Sequence, residues 1–185
     1  MEWMMEMDAG ILLFLQENVR NQILTPILTL ITTLGNGAAV WIFFSLILLI
    51  PRKTRQAGAM SLLALLVSFL LNNMLLKNLV ARVRPYDAIE GLTALVGRPR
   101  AYSFPSGHTG SSFASAWVLF RKLPGRFGIP ALVLAGLIGL SRLYVGVHYP
   151  TDVLFGMING IASGCIAILL LRSEAVSRFL CPEAK

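Results

Sequence analysis

The chain has 185 residues, 56% of them hydrophobic and 14% charged, with a formal net charge of +7. That balance excludes an ordinary soluble domain, and the length suits one domain over residues 1–185. The positive charge does not point to nucleic acid, because the basic residues sit in short groups between long apolar runs and form no basic-aromatic surface stretch. The partner it implies is a lipid bilayer with anionic headgroups.

From the N-terminus, residues 1–20 carry apolar Ile11, Leu12, Leu13 and Leu15 among the acids Glu2, Glu6 and Asp8. This stretch is too short and too charged to span, so it is expected to lie at the interface as a helix. It also lacks the basic start of a cleavable signal peptide, so the apolar segments are expected to remain in the mature protein. The first long apolar run is 23–50, interrupted at Gly35, Asn36 and Gly37, where a kink or two helical pieces are expected. The second is 57–80, ending with Asn72, Asn73 and Lys77. A polar loop covers 81–104. Further helices are expected over 106–120, which is short and rich in small residues, 128–147 and 153–171. The expected fold is all-α, a polytopic transmembrane bundle of about five spans plus the interfacial N-terminal helix. Cys165 lies in an apolar run and Cys181 in the tail, a pattern with no disulfide framework.

Basic residues set the orientation. Arg52, Lys53 and Arg55 follow the first span, Arg121, Lys122 and Arg126 the third, and Arg172, Arg178 and Lys185 the fifth. With five spans these fall on one side, taken as cytoplasmic together with the C-terminus. The 81–104 loop then faces the extracytoplasmic side of the cell membrane.

Three clusters carry chemistry. Lys77 and Arg84 are seven residues apart, two turns of a helix, which would place both cations on one face before Pro85 stops it. Such a pair suits a phosphoryl group, or simply snorkels to the interface. Pro105-Ser106-Gly107-His108 opens the third helix: Ser106 is a good N-cap, and free N–H groups at a helix start form an anion site. Arg142, inside an apolar run, is costly unless it is functional or forms a buried ion pair with Asp152. His148 and Asp152 are four apart across a helix start marked by Pro150, so the carboxylate can accept from one ring nitrogen and leave the other as nucleophile. Arg82, Arg98 and Arg100 are extra cations of the outer loop, able to gather a second phosphate or to bind nothing in particular. Asn72 and Asn73 are expected to hydrogen-bond between helices.

Taken together, the clusters resemble the signature of the type 2 phosphatidic acid phosphatase superfamily. That signature is a lysine, six residues and Arg-Pro; then Pro-Ser-Gly-His; then Ser-Arg, five residues, His, three residues, Asp. Lys77 with Arg84-Pro85, residues 105–108, and Ser141-Arg142 with His148 and Asp152 match it without departure, across a motif core of 77–152. The resemblance implies that His148 is the nucleophile, Asp152 orients it and His108 is the general acid. It also implies that Lys77, Arg84, Ser106, Gly107 and Arg142 hold the phosphoryl oxygens, with neither metal nor cofactor. The expected function is an integral-membrane lipid phosphatase acting through a phosphohistidine. Undecaprenyl pyrophosphate is the first choice of substrate, with phosphatidylglycerophosphate and phosphatidic acid close behind. A lipid phosphotransferase would use the same residues, and a non-catalytic anionic-lipid binder or transporter would be expected to lack some of them.

Overall fold

The structure, a computed structural model, describes residues 2–172. Among these, every regular element is helical: α1 (Glu2–Phe14), α2 (Leu24–Leu34), α3 (Ala39–Leu49), α4 (Arg55–Phe69), α5 (Lys77–Val80), α6 (Pro85–Ala88), α7 (Gly107–Lys122), α8 (Gly125–Tyr144) and α9 (Pro150–Leu170). The segment Arg55–Ala88, α8 and α9 are long and apolar enough to cross a membrane. α2 and α3 pass the same test together, bent by 51° at the expected Gly35–Gly37 break. There Gly37 and Ala38 take left-handed backbone angles, which glycine adopts at no steric cost. The protein is a multi-pass membrane protein, and the outward faces of these helices are apolar, with Phe43, Ile47, Leu66, Leu140, Ile158 and Leu169 all exposed.

The helix expected over 106–120 is α7, whose 16 residues make it about 24 Å long, short of a ~30 Å hydrocarbon core. It is the centre of the bundle, packed against α9, α8 and α4. Close packing follows from small side chains. Gly156, Gly160 and Gly164 form a stripe on α9, one turn apart. A Cβ at Gly160 would lie 2.4 Å from the Gly110 carbonyl oxygen of α7, and one at Gly156 would lie 2.7 Å from that of Ser106. In lipid, where apolar burial gives little net drive between helices, such close approach and interhelical hydrogen bonds hold a bundle together. A buried chain of hydroxyls supplies the bonds: Ser45 Oγ to Ser61 Oγ at 2.7 Å, Ser61 Oγ to Ser115 Oγ at 2.7 Å, and Trp41 Nε1 donating to Ser112 Oγ at 2.9 Å.

Residues 70–76 between α4 and α5 form a π-helix, a wider turn common at functional sites. Through this turn both asparagines face inward. Asn72 accepts from Asn159 Nδ2 of α9 at 2.7 Å, an interhelical bond as expected. Asn73 instead accepts from Lys77 Nζ at 3.3 Å and lines the same cavity as Lys77, so it belongs to the site rather than to the helix seam.

Residues 81–106 do not hang free. Leu95 N–H donates to the Val145 carbonyl, and Tyr86 packs with Tyr144, Val145 and Val147, so the segment caps one end of the bundle. At the other end, Gln56 Nε2 reaches the Leu171 carbonyl, and Val118 packs with Met60 and Ala167. The starts of α4 and the ends of α7 and α9 therefore meet there, which brings Arg52, Arg55, Arg121, Lys122 and Arg172 to one end. Arg178, Lys185 and Cys181 lie outside the described residues. α1 continues as a π-turn to Val19 and is not among the helices that pass the test for crossing. It turns Trp3, Met5, Met7 and Phe14 outward while Asp8 and Leu12 are buried.

Candidate active site

At the capped end, a cavity of about 440 Å³ is lined by Lys77, Arg84, Gly107, His108, Arg142 and His148, with Asn73, Ser111, Leu65 and Phe69. The three sequence clusters thus converge. Ser106 and Asp152 are fully buried and lie behind the wall rather than on it.

Lys77 and Arg84 do not share a helical face, contrary to the expectation from their spacing. α5 ends at Val80, Ala81 is left-handed at φ 49°, and Arg84 is extended. Proline disfavours the α conformation in the residue before it, and Pro85 opens α6 instead of closing α5. Both cations reach the cavity because the chain turns between them. Arg84 is fixed by its Nε donating to the Ala101 carbonyl at 2.8 Å and Nη1 donating to the Val147 carbonyl at 2.8 Å.

Arg84 also assigns the chemistry of His148. Its Nη1 is 3.1 Å from His148 Nε2, and a guanidinium can only donate, so Nε2 accepts and carries the lone pair. The ring proton is then on Nδ1, which faces Asp152 Oδ2 at 3.3 Å. His148 is 2% exposed. Burial, reinforced by Arg84 and Arg142 against the opposing Asp152 hydrogen bond, pushes its pKa down to about 3 and keeps the imidazole neutral. Asp152 is held in turn by Ser103 Oγ, by the Tyr149 backbone N–H at 3.0 Å and by Arg82 Nη1 at 2.9 Å.

Arg142 is not paired with Asp152, so the structural ion pair weighed from the sequence does not form. Arg142 donates from Nη1 to Thr32 Oγ1 at 2.7 Å, while its Nε is buried without a partner. Arg82 does not gather a second phosphate, because its two Nη atoms are engaged by Asp152 and Asp8. Arg98 stays at the rim, loosely paired with Asp87 at 3.9 Å.

At the start of α7, Ser106 is the N-cap. Its hydroxyl accepts from the Thr109 backbone N–H at 3.4 Å and from Thr109 Oγ1 at 2.9 Å. Gly107 and His108 follow on the cavity side. His108 Nε2 is 2.9 Å from Asn36 Oδ1, at the α2–α3 bend. A Cβ at Gly35 would come within 2.7 Å of the His108 ring, so the glycine of the bend makes room for the imidazole. Asn36, Thr32, Ser103 and Asp8 were not legible as site residues. Asp8 alone carried a signal, as an acid within an apolar helix.

The family model for the PAP2 superfamily matches residues 57–174. The chain belongs to that superfamily. Its relatives include an undecaprenyl-diphosphatase of Sulfolobus acidocaldarius, 33% identical over 65% of this chain, an alignment spanning 58% of that relative's length. Another is phosphatidylglycerophosphatase B of Bacillus subtilis, 33% identical over 87% of this chain and 81% of its own. Among solved structures, the Aquifex aeolicus LpxE crystal structure superposes with a TM-score of 0.76 and 30% identity, covering 89% of this chain and 94% of its own. The PAP2 motifs of this chain all lie within the matched region and around the cavity that holds Lys77, His108 and His148.

Proposed function

We propose that this protein hydrolyses a lipid phosphate ester or pyrophosphate through a phosphohistidine on His148. The observation that carries the reading is the charge of the cavity: three cations and two histidines line it, with no carboxylate among the lining residues. Uncompensated buried cations are costly, and an anionic phosphoryl group compensates them. The helix start at Gly107 adds free N–H groups and the positive end of the α7 dipole.

In the proposed reaction, His148 Nε2 attacks phosphorus while the bond to the leaving oxygen breaks. His108 gives its proton to that oxygen. Asp152, accepting from Nδ1–H, stabilises the positive charge that develops on the imidazole. Lys77, Arg84, Arg142 and the Gly107 backbone hold the equatorial oxygens, with Ser106 shaping the turn behind them. Water then attacks phosphorus, the P–N bond breaks, and His108 accepts the water proton. Neither a metal nor a cofactor enters these steps.

The first choice of substrate is undecaprenyl pyrophosphate, supported by the Sulfolobus relative. Phosphatidylglycerophosphate is the second reading, favoured by the longer match to the Bacillus phosphatase. The cavity is lined in part by apolar Ile42, Leu65 and Phe69, of which Ile42 and Phe69 are also exposed on the outside of the bundle, which suits a substrate whose tail stays in the bilayer. The basic end of the bundle reads as cytoplasmic, which puts the cavity at the extracytoplasmic side. The test is phosphate release from both lipids and from phosphatidic acid in detergent with chelator present. Release is expected, with competitive inhibition by vanadate, a mimic of the trigonal-bipyramidal phosphoryl group. Folded protein that releases phosphate from none of the three would remove the hydrolase reading.

A further inference from the structure

One layer behind the cavity, two fully buried carboxylates share one guanidinium. Arg82 Nη1 donates to Asp152 Oδ1 at 2.9 Å and to Thr151 Oγ1 at 2.7 Å, and Nη2 donates to Asp8 Oδ2 at 2.8 Å. Asp8 also accepts from the Thr151 backbone N–H at 3.1 Å and from its hydroxyl. The guanidinium lies 3.7 Å over the Tyr149 ring, so its plane is fixed as well as its ends. Asp8 comes from α1, a helix that turns Trp3, Met5, Met7 and Phe14 outward and packs its Leu12 on Leu92 and Tyr149.

A latch holding α1 to the bundle could end on Thr151 alone. This one continues to Asp152 Oδ1, the oxygen opposite the one facing His148. With Oδ1 anchored by Arg82, and Oδ2 by Ser103 and the Tyr149 N–H, the carboxylate cannot rotate away from His148 Nδ1. We propose that Asp8 and Arg82 are positioning residues that fix the Asp152 carboxylate and, through it and together with Arg84 on the other ring nitrogen, set the ring orientation and tautomer of His148. The surface helix α1 is thereby a working part of the site. The tautomer claim stands on geometry; its consequence for rate rests on the proposed role of His148 as nucleophile.

The test uses the full chain in detergent, labelled with ¹⁵N-histidine. Only His108 and His148 contribute signals, and His108→Gln assigns them. At neutral pH the native protein is expected to show His148 as a single neutral tautomer protonated on Nδ1. Asp8→Asn and Arg82→Met are each expected to bring in the Nε2-protonated tautomer. Each is also expected to lower kcat by about 10–100-fold, the cost seen for outer partners of metal-bound histidines, with KM nearly unchanged because neither residue lines the cavity. Arg82→Lys keeps the charge but not the two-armed bridge, and is expected to recover only part of the rate. If Arg82→Met does not fold, the near-isosteric Asp8→Asn carries the test. A folded Asp8→Asn protein with the native tautomer overturns the proposal, whether its rate is kept or lost. A native protein with the expected His148 signal but no turnover on any lipid phosphate would sink the hydrolase reading and leave the positioning role standing.

Discussion

On the cavity side, Lys77, Arg84 and Arg142 face one another with no acid among the lining residues. One layer back, Arg82 lies between Asp8 and Asp152 at hydrogen-bond distance from both. The same residue type serves two ends. In front, arginine is left without a counter-ion, and Arg142 even keeps a buried Nε without a partner. Behind, arginine is consumed by carboxylates and is closed to any ligand. The sequence's count of cations therefore overstates the site's capacity for anions. What matters is which cations the fold leaves unpaired.

The comparison can be broken at its centre first. His148→Ala is expected to abolish turnover, by roughly 10⁴-fold or more, with the fold intact by circular dichroism. Native rates in that variant would remove the phosphohistidine. Next comes the front layer alone: Arg142→Met is expected to lower kcat/KM by about 10²–10³-fold. Its thermal midpoint should hold or rise, because an uncompensated buried charge is removed. A large fall in stability instead would mean that Arg142 is a structural residue. Away from both layers, Gly160→Ala drives a Cβ toward the Gly110 carbonyl oxygen, 2.4 Å off. It is expected to cost about 1–3 kcal/mol in thermal unfolding with KM unchanged. The effect that is smallest at neutral pH, and grows only in acid, is on the pH dependence of stability. His148 is held neutral, with its pKa lowered from 6.5 to about 3, so below 6.5 the unfolded chain takes up a proton that the folded chain refuses. Its contribution is therefore complete above 6.5 and is lost as the pH falls toward 3, with a slope approaching about 1.4 kcal/mol per pH unit. Comparing the acid limb of the native stability curve with that of His148→Gln isolates it, and identical limbs would mean that the imidazole is protonated in the fold.

Much of the site could be read before the fold was seen, because its chemistry depends on residue type at short range. His148 and Asp152 are one turn apart across a proline-marked helix start, and that local geometry survives in the structure. Gly107 and His108 follow a serine cap in the same way. Lys77 and Arg84 both reach the cavity, but not as neighbours on one helix, since the turn at Ala81 and the extended Arg84 replace helix between them. The break in the first apolar run was legible from Gly35 and Gly37. Its use, holding Asn36 against His108, was not, because 72 residues separate the two.

The all-helical membrane class and the residues of the proposed phosphoryl site are legible in the chain alone. Apolar run length and motif spacing are local properties that any folding of this chain must respect. Only the tertiary structure decided which charges are free. Asp8, Arg82 and Asp152 lie far apart along the chain, and no periodicity links them. They meet because α1 packs on the start of α9 while the 81–106 segment folds over that end of the bundle. In a low-dielectric interior a carboxylate takes whichever cation the packing delivers. The packing delivers Arg82 to the acids and leaves Arg84 and Arg142 facing the cavity.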